Sequence, residues 1–213
     1  MLFIFDWDGT LSDSTAKIIM CMQEAAIELN LEPRPSLAIQ NIIGLAMPEA
    51  LRTLYPEVNE AQLQDFHQVY AKHFLQHDHE PSAFFPKVLS TLKHLREQGF
   101  LLAVATGKSR QGLDRVLSKL EMHSFFDFSR CADESASKPS PLMLQQLLDE
   151  SRLQAHQAVM IGDTEWDMRM AAELGMPKVA VSYGAHSIER LEACDPDWLI
   201  DDLGCLKKWR FDF

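Results

Sequence analysis

The sequence predicts an α/β protein: a parallel sheet with helices on both faces, carrying a separate helical domain. Three observations predict it. Short, wholly apolar runs recur along the chain, at Met1–Phe5, Phe100–Ala105, Ala158–Ile161 and Val179–Val181. They are too short for an amphipathic helix and suit strands buried on both faces. Stretches with helical spacing separate them, which implies parallel pairing through right-handed crossovers. One long block, residues 14–83, holds no convincing strand, as expected of an inserted helical domain.

The first strand stops at Asp6, and a second carboxylate follows at Asp8, ahead of Gly9-Thr10. A buried strand that ends in two acids aims charge at the crevice where open α/β sheets bind ligands. Like charges so close need a cation or a shared proton, so Asp6 and Asp8 read as a metal-assisted site. A strand-to-loop turn with solvated acids is the plainer reading. A calcium-binding EF-hand loop is excluded, because its sixth and twelfth places would be Leu11 and Lys17 instead of Gly and Glu.

A helix follows, with Ile18, Met22, Ala25, Ala26 and Leu29 on one face and Asp13 or Ser14 as its cap, until Pro33 and Pro35 break it. A short segment at Ala38–Ile43 leads to Gly44. Pro48–Leu54 and Ala61–Leu75 read as further helices, the last with a stripe of Leu63, Phe66, Val69, Tyr70 and Phe74. His73, His77, Asp78 and His79 have a spacing that metals use, although a polar helix end is the simpler account. The linker back is Pro81–Pro86.

Lys87–Gln98 is a predicted helix ended by Gly99, and Phe100–Ala105 a second strand that stops at Thr106-Gly107-Lys108. Ser109–Leu120 reads as helix and Phe125–Phe128 as a short strand. A polar loop then reaches Lys138-Pro139, where the proline biases Lys138 toward extended backbone. Leu142–Asp149 is helical, Ala158–Ile161 is a strand, and Gly162-Asp163-Thr164 follows. Asp167–Leu174 is a helix stopped by Gly175, Val179–Val181 a strand and Trp198–Ile200 a last edge strand. Trp198 and Trp209 read as packing residues.

Three later strand ends thus offer a hydroxyl and amides (Thr106, Gly107), an amine (Lys138) and two carboxylates one helical turn apart (Asp163, Asp167). Each alone has a bland reading: Thr106 as a helix N-cap, Lys138 as a loop lysine, the two acids as favourable charges at a helix start. Together with Asp6 they suit phosphoryl transfer, which needs a nucleophile, cation screening and donors to the equatorial oxygens.

This ordered set resembles the motifs of the haloacid dehalogenase superfamily, from Asp6-Trp7-Asp8-Gly9-Thr10 through Thr106 and Lys138 to Asp163 and Asp167, and on through Ala171, Ala172, Gly175 and Met176. The resemblance implies a Rossmann-like catalytic core over residues 1–13 and 84–213, with a helical C1 cap over 14–83. It implies Asp6 as nucleophile through an aspartyl-phosphate, Asp8 as general acid/base, Thr106 as phosphoryl donor with Gly107 beside it, and Lys138 as the cation. It implies Mg²⁺ as cofactor, held by Asp6, the Asp8 carbonyl and Asp163, with Asp167 as a further ligand or anchor. An acid at Asp8 points to phosphatases or phosphomutases, away from dehalogenases and transport ATPases. The implied activity is hydrolysis of a small phosphorylated metabolite, nearest to phosphoglycolate phosphatase-like members. A phosphosugar mutase is the alternative, and an inactive binding or regulatory module the reading from another class.

Gly44-Leu45-Ala46-Met47 falls where such caps place a specificity loop. It contains no basic residue, so strong recognition of a second anionic group would depend on Lys17, Arg52 or Lys108. A net charge of −11 argues against nucleic acid as a partner. No run of the chain is long and apolar enough to span a membrane, and none has the form of a signal peptide. Cys21, Cys131, Cys194 and Cys205 show no C-x-x-C spacing, which disfavours structural zinc or disulfides and points to the cytoplasm.

Overall fold

A computed structural model describes residues 1–79 and 82–208. Pro81, at the head of the expected linker, and Trp209 lie outside the described residues.

The sheet is built from β1 (Leu2–Phe5), β2 (Leu101–Thr106), β3 (Phe128–Cys131), β4 (Ala158–Gly162), β5 (Lys178–Val181) and β6 (Trp198–Ile200). Every pairing is parallel, in the order β3-β2-β1-β4-β5-β6. The strand order reverses beside β1, which makes the crevice beyond its carboxyl end the expected ligand site. The register aligns Phe5 with Val104 on one side and Ile161 on the other. Asp6, Thr106 and Asp163 therefore emerge at nearly the same level.

Alternation along the strands explains the two apolar layers. Phe3, Phe5, Leu102, Val104, Val159 and Ile161 bury one face against Val88, Leu92 and Leu95 of α5 (Val88–Glu97) and Leu113 and Leu117 of α6 (Arg110–Lys119). Leu2, Ile4, Ala103, Ala105, Ala158 and Met160 bury the other against Met143, Leu144 and Leu147 of α7 (Leu142–Ser151) and Met170 and Ala171 of α8 (Glu165–Ala172). Apolar side chains on both faces give the uninterrupted runs seen in the sequence. A short helix, α9 (Ile188–Glu192), precedes β6.

Between β1 and α5 the chain forms α1 (Thr15–Glu28), α2 (Ser36–Gln40), α3 (Met47–Leu54) and α4 (Glu60–Gln76). These helices bury their own cluster, centred on Met22, Ile39, Leu51 and Phe66, and Ala185 joins it from beyond β5.

Two expectations need correction. The third strand is not at Phe125–Phe128: His123–Phe125 is a 3-10 turn, and the strand starts at Phe128. Phe126 is apolar because it plugs the core beside Trp7, at 6.1 Å between ring centroids. The true strand lies at a sheet edge with only Cys131 buried, so Ser129 and Arg130 hide its signature. The helix expected at Asp167–Leu174 begins earlier, at Glu165, because Thr164 and Asp167 form a reciprocal capping box.

Candidate active site

β1 delivers Asp6 into the crevice with 1% of its surface exposed. Its Oδ1 lies 2.9 Å from Lys138 Nζ, whose side chain has no exposure. Asp6 Oδ2 is buried and has no hydrogen-bond partner. Lys138 Nζ also donates to Asp167 Oδ1 at 2.6 Å. The other Asp167 oxygen accepts from the Thr164 amide at 3.1 Å and from Thr164 Oγ1 at 2.6 Å. Both oxygens of Asp167 thus accept hydrogen bonds, one of them from Lys138.

Asp163, at the end of β4, is likewise fully buried. Its Oδ1 accepts from Thr10 Oγ1 at 2.6 Å and its Oδ2 from the Ala185 amide at 2.8 Å. Gly9 lies so close that a Cβ there would fall 2.2 Å from Asp163 Oδ2, and its φ of +85° belongs to the left-handed region as well. Asp-x-Asp-Gly-Thr is thus a packing requirement: the glycine makes room for Asp163 and the threonine holds it.

Asp8 Oδ1 accepts from Ser14 Oγ at 2.6 Å and pairs with Lys108 Nζ at 3.0 Å. Ser14 therefore does not cap α1 with its side chain, as the sequence suggests; its hydroxyl is spent on Asp8. Thr106 is buried, and its Oγ1 accepts from the Lys108 amide at 3.2 Å. It does not cap α6 either, since Ser109 does so through the Gly112 amide. Gly107 faces the Gly44 loop: a Cβ at Gly107 would lie 2.6 Å from the carbonyl oxygens of Gly44 and Leu45. The Ala46 amide donates to Ser137 Oγ at 2.9 Å, a second tie between the four-helix block and the sheet side.

The electrostatics follow from burial. Desolvation pushes the Asp6 carboxyl well above the usual carboxylate range; Lys138 opposes this, and Asp167 and Asp163 add to it. Asp163 is pushed up to about 7, by burial first and by the charge of Asp167 second. Burial works against the Lys138 ammonium, yet Asp167 and Asp6 outweigh it and hold the lysine above its ordinary range. Three buried carboxylates share one ammonium, so the cluster is short of positive charge. Oxygens of Asp6, Asp163 and Asp167 lie within 4.8 Å of one another. This all-oxygen donor set, short of positive charge, fits a hard divalent cation such as Mg²⁺.

The structure thus gathers Asp6, Asp8, Thr106, Gly107, Lys138, Asp163 and Asp167 around one crevice, with Gly44 overhead. Lys17 pairs with Asp78 at 3.0 Å, with its Nζ 5.3 Å from the Phe74 ring centroid, and Arg52 pairs with Glu60 and Glu49 on the surface. The histidine group divides. His73 bridges Glu24 and Glu28, and His77 meets Glu24, whereas Asp78 holds Lys17, Arg115 and Lys119. Sequence reasoning missed Ser14 and Lys108 as partners of Asp8, and Ala185 as a donor to Asp163. Only Thr10 had a signal, as part of the Asp-Gly-Thr run.

Comparison with known proteins agrees with this geometry. The family model described as haloacid dehalogenase-like hydrolase matches residues 3–181. A protein of Dickeya dadantii named "Probable phosphatase IndB" is 34% identical over 94% of this chain and 89% of its own length. A phosphoglycolate phosphatase of Vibrio cholerae is 28% identical over 96% of this chain and 94% of that protein. Among solved structures, a haloacid dehalogenase-like family hydrolase from Streptococcus pneumoniae superposes with a TM-score of 0.84 at 26% identity, covering 98% of each chain.

Proposed function

The chain belongs to the haloacid dehalogenase-like hydrolase family, and from that premise we propose that it hydrolyses a small phosphorylated metabolite through an aspartyl-phosphate on Asp6. It is a phosphatase, as are the relatives that match it over nearly their whole length. The observation that carries the covalent route is Asp6 Oδ2, a buried carboxylate oxygen without a partner at the switch point of the sheet.

Asp6 Oδ2 attacks phosphorus in line, and the bond from phosphorus to the ester oxygen breaks. Asp8 delivers a proton to the departing alcohol, then takes one from the water that attacks the aspartyl-phosphate and releases inorganic phosphate. Thr106 Oγ1, the Gly107 amide and Lys138 Nζ serve the equatorial oxygens, and Asp167 keeps Lys138 in place. Asp6, the Asp8 carbonyl and Asp163 would hold Mg²⁺, which supplies positive charge against the phosphoryl oxygens when bound.

The helices of residues 14–83 act as a cap over a core of 1–13 and 84–213. Their separate apolar cluster supports this, as does the contact of the Gly44 loop with Gly107 and Ser137. Such a cap excludes water until chemistry is set up. Phosphoglycolate, the substrate named for the Vibrio relative, is the first metabolite to assay. We place the protein in the cytoplasm, which suits its four free cysteines; among the described residues no helix is long and apolar enough to cross a membrane.

The test is Mg²⁺-dependent release of inorganic phosphate from a panel of phosphorylated metabolites, with quenched enzyme assayed for a hydroxylamine-sensitive phosphoryl group. Hydrolysis with no such group would overturn the covalent route. Isomerised sugar phosphate in place of inorganic phosphate would make the enzyme a mutase.

A further inference from the structure

Between the sheet and the four-helix block lies a cleft of about 1350 Å³, larger than the roughly 300–1,000 Å³ usual for small-molecule sites. A two-carbon leaving group would leave most of it empty. Asp6, Asp8 and Thr106 form its floor on the core side. The opposite wall is apolar: Met22, Ile43, Leu45, Met47, Tyr70 and Phe74. Tyr70 and Phe74 stand one turn apart on α4 with ring centroids 5.8 Å apart, a ready aromatic surface. Burial, with the charge of Asp8 nearby, keeps the Tyr70 hydroxyl neutral well above its ordinary titration range.

Among the described residues, each Lys and Arg lining this cleft already faces a carboxylate. Lys108 is paired with Asp8 at 3.0 Å, Arg115 with Asp78 at 3.2 Å, and Arg110 with Glu134 at 2.7 Å and Asp114 at 3.2 Å. Lys108 and Arg115 also lie against the Phe74 ring, at 5.1 and 5.9 Å from its centroid. Glu49, Asp114 and Asp133 line the cleft too, adding negative charge. A carboxylate on the leaving group would have to draw Lys108 from Asp8 or Arg115 from the Asp78 it shares with Lys17 and Lys119, or lose its water against an apolar wall.

We infer that the phosphate ester this site prefers has an uncharged leaving alcohol with an apolar, ring-sized body, seated against Met47, Tyr70 and Phe74. This rests on the phosphatase reading and narrows it: 2-phosphoglycolate, with its carboxylate and two carbons, fits the cleft poorly.

The experiment compares kcat/KM for benzyl phosphate, ethyl phosphate and 2-phosphoglycolate with Mg²⁺ and the full chain. All three are esters of alkyl alcohols, so leaving-group acidity is not the dominant variable. Benzyl phosphate should exceed each of the others at least tenfold, chiefly through KM. Phe74→Ala should raise the benzyl KM about tenfold, and Met47→Arg should cut the benzyl-to-glycolate preference by a similar factor. Equal or better use of 2-phosphoglycolate by the wild-type enzyme overturns the inference while leaving the phosphatase reading intact. Equal use of ethyl and benzyl phosphate also overturns it. No phosphate release from any ester, including a wider metabolite panel, sinks both. The wild-type comparison decides even if neither variant folds.

Discussion

Lys138 Nζ lies 2.9 Å from Asp6 Oδ1, and neither side chain has more than 1% of its surface exposed. The ammonium opposes the burial that raises the Asp6 carboxyl, and the carboxylates of Asp167 and Asp6 hold the lysine charged.

Removing the ammonium should therefore do more than lower activity. Lys138→Met leaves Asp6 and Asp167 buried without their shared counter-charge. The expected loss is about 3–5 kcal/mol of stability, the usual cost of breaking a buried pair. Urea denaturation at neutral pH reads it, and an unchanged midpoint would show the pair to be energetically idle.

Asp6→Asn should abolish turnover with the fold intact. The amide keeps the shape while removing the nucleophile and relieving repulsion from Asp163 and Asp167. Without metal its melting temperature should equal or exceed that of the wild type. Substantial phosphatase activity in this variant would exclude a covalent role for Asp6.

Asp8→Asn should lose about 10²–10⁴-fold in kcat, the span of general acid/base catalysis. The Ser14 hydrogen bond survives in the variant, but the Lys108 ion pair does not. Steady-state kinetics on an ester with a poor leaving group gives the clearest reading, because proton delivery matters most there.

Mg²⁺ should stabilise the protein as well as activate it. At a concentration 100 times its dissociation constant it adds about 2.7 kcal/mol, seen as a rise in melting temperature over an EDTA-treated sample. Asp163→Asn should lose most of that rise. An Asp163 variant with the full response would remove this residue from the metal site.

His186 gives a pH signature. It is buried, and its Nδ1 accepts from the Glu165 amide at 3.1 Å. Burial, aided by Arg190, lowers its pKa to about 4, against roughly 6.5 in the unfolded chain. The unfolded chain thus takes the proton first. The His186 contribution is whole above about pH 6.5 and declines as pH falls toward 4, by about 3 kcal/mol in all. Asp163, with its raised pKa, acts in the opposite direction over part of the same range. The measurable quantity is the difference from His186→Asn, which keeps an acceptor for the Glu165 amide and cannot titrate: wild type should lose more stability than the variant on acidification.

Much of this protein is legible in its sequence, because the signals concerned are local. A strand buried on both faces must be apolar along its length, and the polar residues that end it mark the crevice; β1, β2, β4 and β5, with the acids after β1 and β4 and Thr106 at the end of β2, were visible on that ground. What only the tertiary structure decided depends on neighbours distant in the chain. That Lys138 donates to one oxygen of Asp167, while Thr164 donates to the other, is a contact of this kind. Ser14 read as a cap until its hydroxyl was found on Asp8, and the polar edge strand β3 was hidden behind a buried phenylalanine. The aromatic wall of α4 reads in sequence as ordinary core. It faces the cleft because packing of four helices far from Asp6 turns Tyr70 and Phe74 toward the site, and no local pattern encodes that direction.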